Sequence, residues 1–356
     1  MKILITVPVL SPGSGLTRYV FSLCRILCKG NNILILETHG HSSNNYAKDE
    51  LMDVNPDIRL ITTDTTGRIP KYLKNIIMTR RFKPDVIISN YNALTQFILP
   101  FCKKKAKVLH ILHNDTDDFY RIASINGKIV NGWIAPTKAI ADNFNAYTNG
   151  KFSDKVSVIS HGVESNELKA RNNKRLEIVY AGVLYEHKGV KQLPDIIRNL
   201  QNTNIDFHFT IIGGGVLSNW LSDKFKDSIR AGSIEMTGVI DHHKVYEIMS
   251  QADIFLYPTH LDAFGLVIAE AMMNGAIPIV SLLPGITDNL IDDGINGFLL
   301  NLNDSNGFAN RILQLAEDDT ILNQMREAAH TKAINKFSLD MMARNYIDYL
   351  DKIICK

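Results

Sequence analysis

In the carboxyl-terminal half of this 356-residue sequence, Lys188, Asp262 and Glu270 stand beside a run of main chain whose chemistry suits a diphosphate. Asp262 and Glu270 fall in residues 261–281, LDAFGLVIAEAMMNGAIPIVS, directly after an apolar run that ends Leu256-Tyr257-Pro258. A loop over residues 258–265 followed by a helix leaves the N–H groups of Phe264, Gly265 and Leu266 without helical acceptors. The positive end of the helix dipole adds to them, which makes an anion site. Glu270, about one and a half turns into that helix, is placed to accept bonds from vicinal ribose hydroxyls. Asp262, ahead of the helix, is placed to hold hydroxyls of a sugar. Lys188 stands in residues 181–189, AGVLYEHKG, with Gly182 just after a strand, and Gly213-Gly214-Gly215 follows another strand as a candidate wall of the same site. In the amino-terminal half, Gly15 lies in SPGSGLTRYV and His113 ends VLHILH, each again just past a strand candidate.

These residues need a frame that brings strand ends together, and the rest of the sequence supplies one. Short β-branched runs alternate with amphipathic stretches, the pattern of parallel sheets with helical crossovers. Strands are expected at residues 3–7, 33–37, 58–62, 86–89, 108–113, 132–135 and 156–159, and again at 176–181, 207–212, 254–257, 277–280 and 297–300. A helix over residues 15–28 places Leu16, Tyr19, Val20, Leu23 and Leu27 on one face. The polar stretch 164–175 lacks apolar periodicity and reads as a linker. The expectation is an α/β chain of two doubly wound domains, residues 1–165 and 166–338, with a last helix from residue 339 that docks back on the first. Open sheets of this kind bind ligands at the carboxyl ends of their strands.

Composition narrows the class. Hydrophobic residues make up 45% and charged residues 21%, which describes a globular chain rather than a disordered or fibrous one. No apolar run approaches the roughly 20 residues of a membrane span, and ILITVPVL reads as a first strand rather than a leader, so a cytoplasmic protein is expected. Cys24, Cys28, Cys102 and Cys355 form no CxxC pair and read as reduced, structural thiols. The net charge of +2 conceals an asymmetry: residues 1–170 hold 22 Lys and Arg against 14 Asp and Glu, and the remainder 17 against 23. A basic first half suits an anionic partner such as a membrane surface or a phosphorylated carrier.

Residues 261–281 resemble the Glu-x7-Glu signature of family 4 retaining glycosyltransferases. Thr237-Gly238-Val239, residues 252–255 (ADIF), 274–278 (NGAIP) and 293–298 (DGINGF) are similar to that family's other blocks. The resemblance implies a GT-B fold, two Rossmann-like domains facing a central cleft, with the nucleotide-sugar donor on the second domain and the acceptor on the first. It makes Glu270 the ribose ligand and Val239 a main-chain neighbour of the base. It makes Lys188 a cation on the diphosphate, and places Gly15 and His113 over the transferred sugar. Two positions depart from the pattern. Asp262 replaces the first Glu, and Val183 stands where an Arg is expected, which removes one cation from the leaving group and weakens charge stabilisation unless His187 or the Gly213-Gly214-Gly215 turn compensates.

The implied activity is transfer of a sugar from a nucleoside-diphosphate sugar, UDP ahead of GDP, to a hydroxyl of a glycan or lipid-linked acceptor in bacterial surface polysaccharide assembly. Configuration is retained and no metal or other cofactor is needed. The Asp115-Thr116-Asp117 triplet imitates a metal-binding D-x-D but has no supporting ligands in sequence. The basic and apolar stretch 70–82, with Lys71, Lys74, Arg80 and Arg81, and Lys103-Lys104-Lys105 nearby, suits an anionic membrane on the inner face. Aromatic residues do not interleave with the basic ones, which argues against nucleic acid. Three other readings remain open at this point. One is a nicotinamide-binding domain, since Gly13-Ser14-Gly15 precedes a helix and Glu37 ends the second strand, although the third glycine of G-x-G-x-x-G is missing. The others are a nucleotide-sugar epimerase of the same fold and a catalytically silent nucleotide-sugar binder.

Overall fold

The computed structural model describes residues 1–39, 46–63, 67–102, 105–171 and 175–354. They divide into two compact units, one of Met1–Gly162 with the chain from Leu339 onward, the other of Val163–Ser338.

The first unit carries a parallel sheet of β1 (Lys2–Val7), β2 (Asn32–Glu37), β3 (Arg59–Thr62), β4 (Val86–Asn90), β5 (Lys107–Ile111), β6 (Gly132–Ala135) and β7 (Val156–Val158), in the order β3-β2-β1-β4-β5-β6-β7. Five of the six residues of β1 and of β2 are buried, as parallel strands covered by helices on both faces must be. The chain reverses its direction of winding between β1 and β4. Gly15 opens the helix Gly15–Leu27 just beyond β1.

The terminal helix Leu339–Ile354 belongs to this unit. Its Met342, Tyr346 and Leu350 enter the core cluster that contains Tyr19, Leu23 and Leu27. The Tyr19 and Tyr346 hydroxyls hydrogen-bond to each other within that core, and the Gly162 N–H donates to Met342 Sδ.

The second unit repeats the design with β8 (Leu176–Ala181), β9 (Phe207–Ile212), β10 (Ile234–Gly238), β11 (Ile254–Tyr257), β12 (Ile277–Ser281) and β13 (Phe298–Leu300), ordered β10-β9-β8-β11-β12-β13 and parallel throughout. The winding reverses between β8 and β11. This is where an open sheet parts its loops and takes a ligand.

Two elements differ from the expectation. β5 stops at Ile111, so His113 sits in the loop beyond it. β10 has no counterpart among the expected strands. It is a short edge strand with one buried residue, and its pairing with β9 slips between Met236 and Gly238, so no alternating apolar pattern announces it. Cys24, Cys28 and Cys102 are free thiols, and Cys355 lies outside the described residues, as do Lys103 and Lys104.

Tyr346→Phe leaves the buried Tyr19 hydroxyl without its partner. A buried polar group so orphaned costs about 1–3 kcal/mol, so urea denaturation is expected to show that loss, against almost none for a phenol lying in water.

Candidate functional site

Main-chain bonds knit the strand ends on one side of the second unit. Gly182 N–H donates to the Ile212 carbonyl at 3.0 Å, Gly213 N–H to Gly238 at 2.9 Å, and Leu184 N–H to Gly214 at 2.9 Å. This approach requires glycine at 213, where φ is +128° and a Cβ would run into the Gly182 carbonyl. The glycine triplet is thus a wall built of backbone, with the exposed Val239 of the next loop beside Gly214.

Lys188 reaches its place by a second close approach. Residues Glu186–Lys188 form a single 3-10 turn, and Gly189 follows with φ +73° against the Pro258 carbonyl, which leaves no room for a Cβ. His260 N–H donates to the His187 carbonyl at 2.9 Å and locks the two loops together. The Lys188 ammonium then donates to the Leu261 carbonyl and to Asp262 Oδ2, each at 2.9 Å. It also lies 5.7 Å from the centre of the Tyr257 ring.

Asp262 gathers further partners beside Lys188. Oδ1 accepts the N–H groups of Ala263 at 2.9 Å, Phe264 at 3.4 Å and Gly265 at 3.0 Å, and Oδ2 accepts the Tyr257 hydroxyl at 3.2 Å. Burial alone would raise this carboxyl. The Lys188 ammonium and the Gly265 and Ala263 N–H groups outweigh it and hold the group below the usual carboxylate range. The Phe264 and Gly265 donors expected to be open to a ligand are therefore satisfied by Asp262.

Gly265 takes the left-handed conformation, φ +84°, and starts the helix Leu266–Met273. The Phe264 ring is buried and meets Phe337 edge-on at 5.8 Å, so only its backbone can serve a ligand. Glu270 is buried, with His242 Nε2 at 3.3 Å and the Tyr246 hydroxyl at 3.4 Å from Oε1. Asn274 donates to the Glu270 carbonyl at 2.8 Å and fixes the end of this short helix. His242 and Tyr246 were missed from sequence; their four-residue spacing on one helix, His242–Gln251, is the signal that pairs them.

His187 stands beside Lys188, next to the cation position left open by Val183. Burial and the adjacent Lys188 ammonium lower its pKa against the opposing pull of Asp262, so the ring is neutral at pH 7.

In the first unit, His113 Nε2 pairs with Asn90 Oδ1 at 2.9 Å. The carbonyl oxygen accepts, so Nε2 carries the proton and Nδ1 is left as an acceptor. The ring stacks on His161 at 5.8 Å with Tyr19 edge-on at 4.8 Å. Burial, His161 and His110 together hold His113 well below the usual histidine range. His110, on the opposite strand face, is a core residue joined to Gln96.

Glu37 is spent on structure: its carboxylate accepts the Leu10 N–H at 2.7 Å and the Thr62 hydroxyl at 2.8 Å, tying the loop after β1 to β3. The nicotinamide reading thereby loses its ribose ligand. Asp115 is likewise engaged, by the Tyr120 hydroxyl at 2.5 Å and Asn143 at 2.8 Å.

Residues 164–332, nearly the whole of this second unit, match the family described as glycosyl transferases group 1. The second unit of this chain is similar to the group 1 glycosyl transferases along nearly its whole length. Over 184 residues the chain is 27% identical to an uncharacterized 41.2 kDa protein of the cps region of Klebsiella pneumoniae, covering 51% of this chain and 48% of that one. It is 26% identical over 219 residues to the Escherichia coli UDP-Gal:alpha-D-GlcNAc-diphosphoundecaprenol alpha-1,3-galactosyltransferase, covering 57% and 56%. The chain thus spans about half the length of the curated relatives it matches. Anabaena HepE, in crystals with UDP and glucose, superposes with a TM-score of 0.83 at 17% identity over 99% of this chain and 100% of that one. The likeness establishes the fold, two doubly wound units of the GT-B kind.

The neutral state of His110 has a pH signature. Burial pushes its pKa down to about 3, while in the unfolded chain it takes up a proton near the ordinary histidine value of 6.5. The unfolded state therefore binds more protons between those values, and stability falls as pH drops below 6.5. The slope is about 1.4 kcal/mol per pH unit for one such histidine. Because His113 and His187 are lowered as well, the share of His110 is read as the difference in urea-unfolding slope between wild type and His110→Asn from pH 7 to 5.

Proposed function

We propose that this chain is a retaining glycosyltransferase that moves a sugar from a nucleoside-diphosphate sugar to a hydroxyl of a glycan or lipid-linked acceptor in surface polysaccharide assembly. One observation carries the reading. At the winding reversal of the second unit, the Lys188 ammonium lies beside the start of the helix that holds the buried Glu270. A diphosphate on Lys188 and the helix start leaves its ribose to Glu270, whose Oε1 is held by His242 and Tyr246. Val239, after β10, is proposed to meet the base, and Gly182, Gly213 and Gly214 to let the backbone close around the phosphates. UDP is the proposed nucleotide, consistent with the UDP found in HepE.

The chemistry needs charge stabilisation on the leaving diphosphate, and Lys188 with the positive end of the helix Leu266–Met273 is proposed to supply it. No metal is invoked in this scheme. His113 and Gly15, at the strand ends of the first unit, are proposed to contact a sugar. A neutral imidazole with Nδ1 unprotonated accepts a sugar hydroxyl and tolerates positive character at the anomeric carbon. The acceptor hydroxyl is proposed to attack from the face that the diphosphate leaves.

A surface of the first unit supports an acceptor presented at the inner face of a membrane. The helix Arg68–Phe82 holds five basic residues and no acid, and Ala93–Cys102 holds no charge. Arg80 Nε donates to the Phe101 carbonyl at 2.9 Å and links the two helices. Ile69, Leu73 and Ile77 form an exposed stripe on one, Phe97 and Phe101 on the other. Apolar side chains rimmed by cations suit an anionic bilayer surface. Among the described residues no helix is long and apolar enough to cross a membrane.

Lys188→Ala and Glu270→Ala are each expected to lower sugar transfer from UDP-sugars by about 10²–10³-fold, as loss of transition-state electrostatics does. Glycoside product with inverted configuration, a free epimerised nucleotide sugar, or full activity in both variants would contradict the assignment. Sedimentation with phosphatidylglycerol vesicles is expected to pellet the protein. Phe97→Ser with Phe101→Ser should weaken that association by roughly tenfold or more, from the loss of two inserted rings.

A further inference from the structure

We propose that Asp262 is a positioning residue, an internal anion that holds the phosphate-binding donors in place before the donor arrives, rather than a ligand of the transferred sugar. The inference rests on the donor site proposed above and changes the role of one of its members.

The carboxylate is saturated. Two oxygens offer about four lone-pair sites. Five donors converge on them: the N–H groups of Ala263, Phe264 and Gly265 on Oδ1, and the Lys188 ammonium and Tyr257 hydroxyl on Oδ2. A sugar hydroxyl would have to displace one of these bonds to reach it. The side chain is also largely covered, 16% exposed.

The lysine, by contrast, keeps capacity. An ammonium has three protons, and two go to the Leu261 carbonyl and Asp262 Oδ2. Those two bonds fix the direction of the third. The Leu261 carbonyl is itself held by the Thr259 hydroxyl at 3.0 Å, so Lys188 is fastened at both contacts. The single methylene of Asp lets its carboxylate fold back onto the N–H groups of its own loop, one and three residues ahead. The longer Glu of the usual signature would carry its carboxylate past them. The departure at this position is thus the feature that makes the loop self-anchored.

The arrangement has a cost that can be measured. A carboxylate already bound to the phosphate donors competes with the incoming diphosphate, so it lowers ground-state affinity while it aligns Lys188 for turnover. Neutralising it should move these two quantities in opposite directions.

Calorimetric titration of UDP and of inorganic pyrophosphate into wild type and Asp262→Asn, with UDP-glucose titrated alongside and turnover measured in parallel, tests this. Loss of a unit charge within hydrogen-bond distance of the site is expected to tighten UDP and pyrophosphate by roughly fivefold or more. Over the same change kcat should fall at least tenfold and KM should fall with it. The ratio of UDP-glucose to UDP affinity should stay constant. Unchanged UDP affinity with weakened UDP-glucose would make Asp262 a sugar ligand and overturn the proposal, as would weaker UDP binding in a variant that melts like wild type. If pyrophosphate tightens as expected but neither UDP nor UDP-glucose binds, the donor assignment fails while the role of Asp262 stands.

Discussion

The contact between Lys188 and Asp262 is the interaction on which the proposed site depends. The two residues lie 74 positions apart and on different loops, and their 2.9 Å ion pair joins side chains across loops that the His260–His187 main-chain bond also holds together. It forms because Gly189 lets the lysine loop press against the Pro258 carbonyl, and because residues 258–265 turn back on the Asp262 carboxylate before the helix begins. An ion pair in water adds little. Here both partners are largely covered and each has further hydrogen bonds, so the pair fixes geometry as well as charge.

Glycines give that geometry its stiffness. The ends of β8, β9 and β10 are joined by main-chain bonds from Gly182, Gly213 and Leu184, which leaves a floor without side chains. Such a floor can approach a phosphate closely. Helix dipole, ammonium and backbone N–H groups converge at the point where the winding of the sheet reverses, which is the general reason that doubly wound sheets bind nucleotides there. The first unit uses the same sheet plan for another purpose. Its strand ends carry a neutral His113 fixed by Asn90 and packed between His161 and Tyr19, and its terminal helix reaches the same cluster through Tyr346.

What the sequence shows and what it hides divides along physical lines. β11 was legible to the residue because its apolar run is unbroken and fully buried, and β8 and β9 because buried apolar residues dominate them despite Glu177, His208 and Thr210. β10 was not, since an edge strand with one buried residue has no such run. The helix start at Gly265 and the placement of Glu270 are local facts, readable from spacing. The capture of Phe264 and Gly265 by Asp262 is also local, yet it was missed, because an Asp ahead of a helix can serve either a ligand or its own backbone and spacing does not choose. The burial of Glu37 between Leu10 and Thr62, and the neutrality of His187, depend on contacts across the sheet and on desolvation, which no linear pattern records.

A crystal of this protein soaked with a UDP-sugar would test the central claim most directly. Density is expected with the β-phosphate against Lys188 and the start of the helix Leu266–Met273, and with the ribose hydroxyls on Glu270. A nucleotide lodged elsewhere, with Lys188 still bound only to Leu261 and Asp262 and nothing on Glu270, would contradict it.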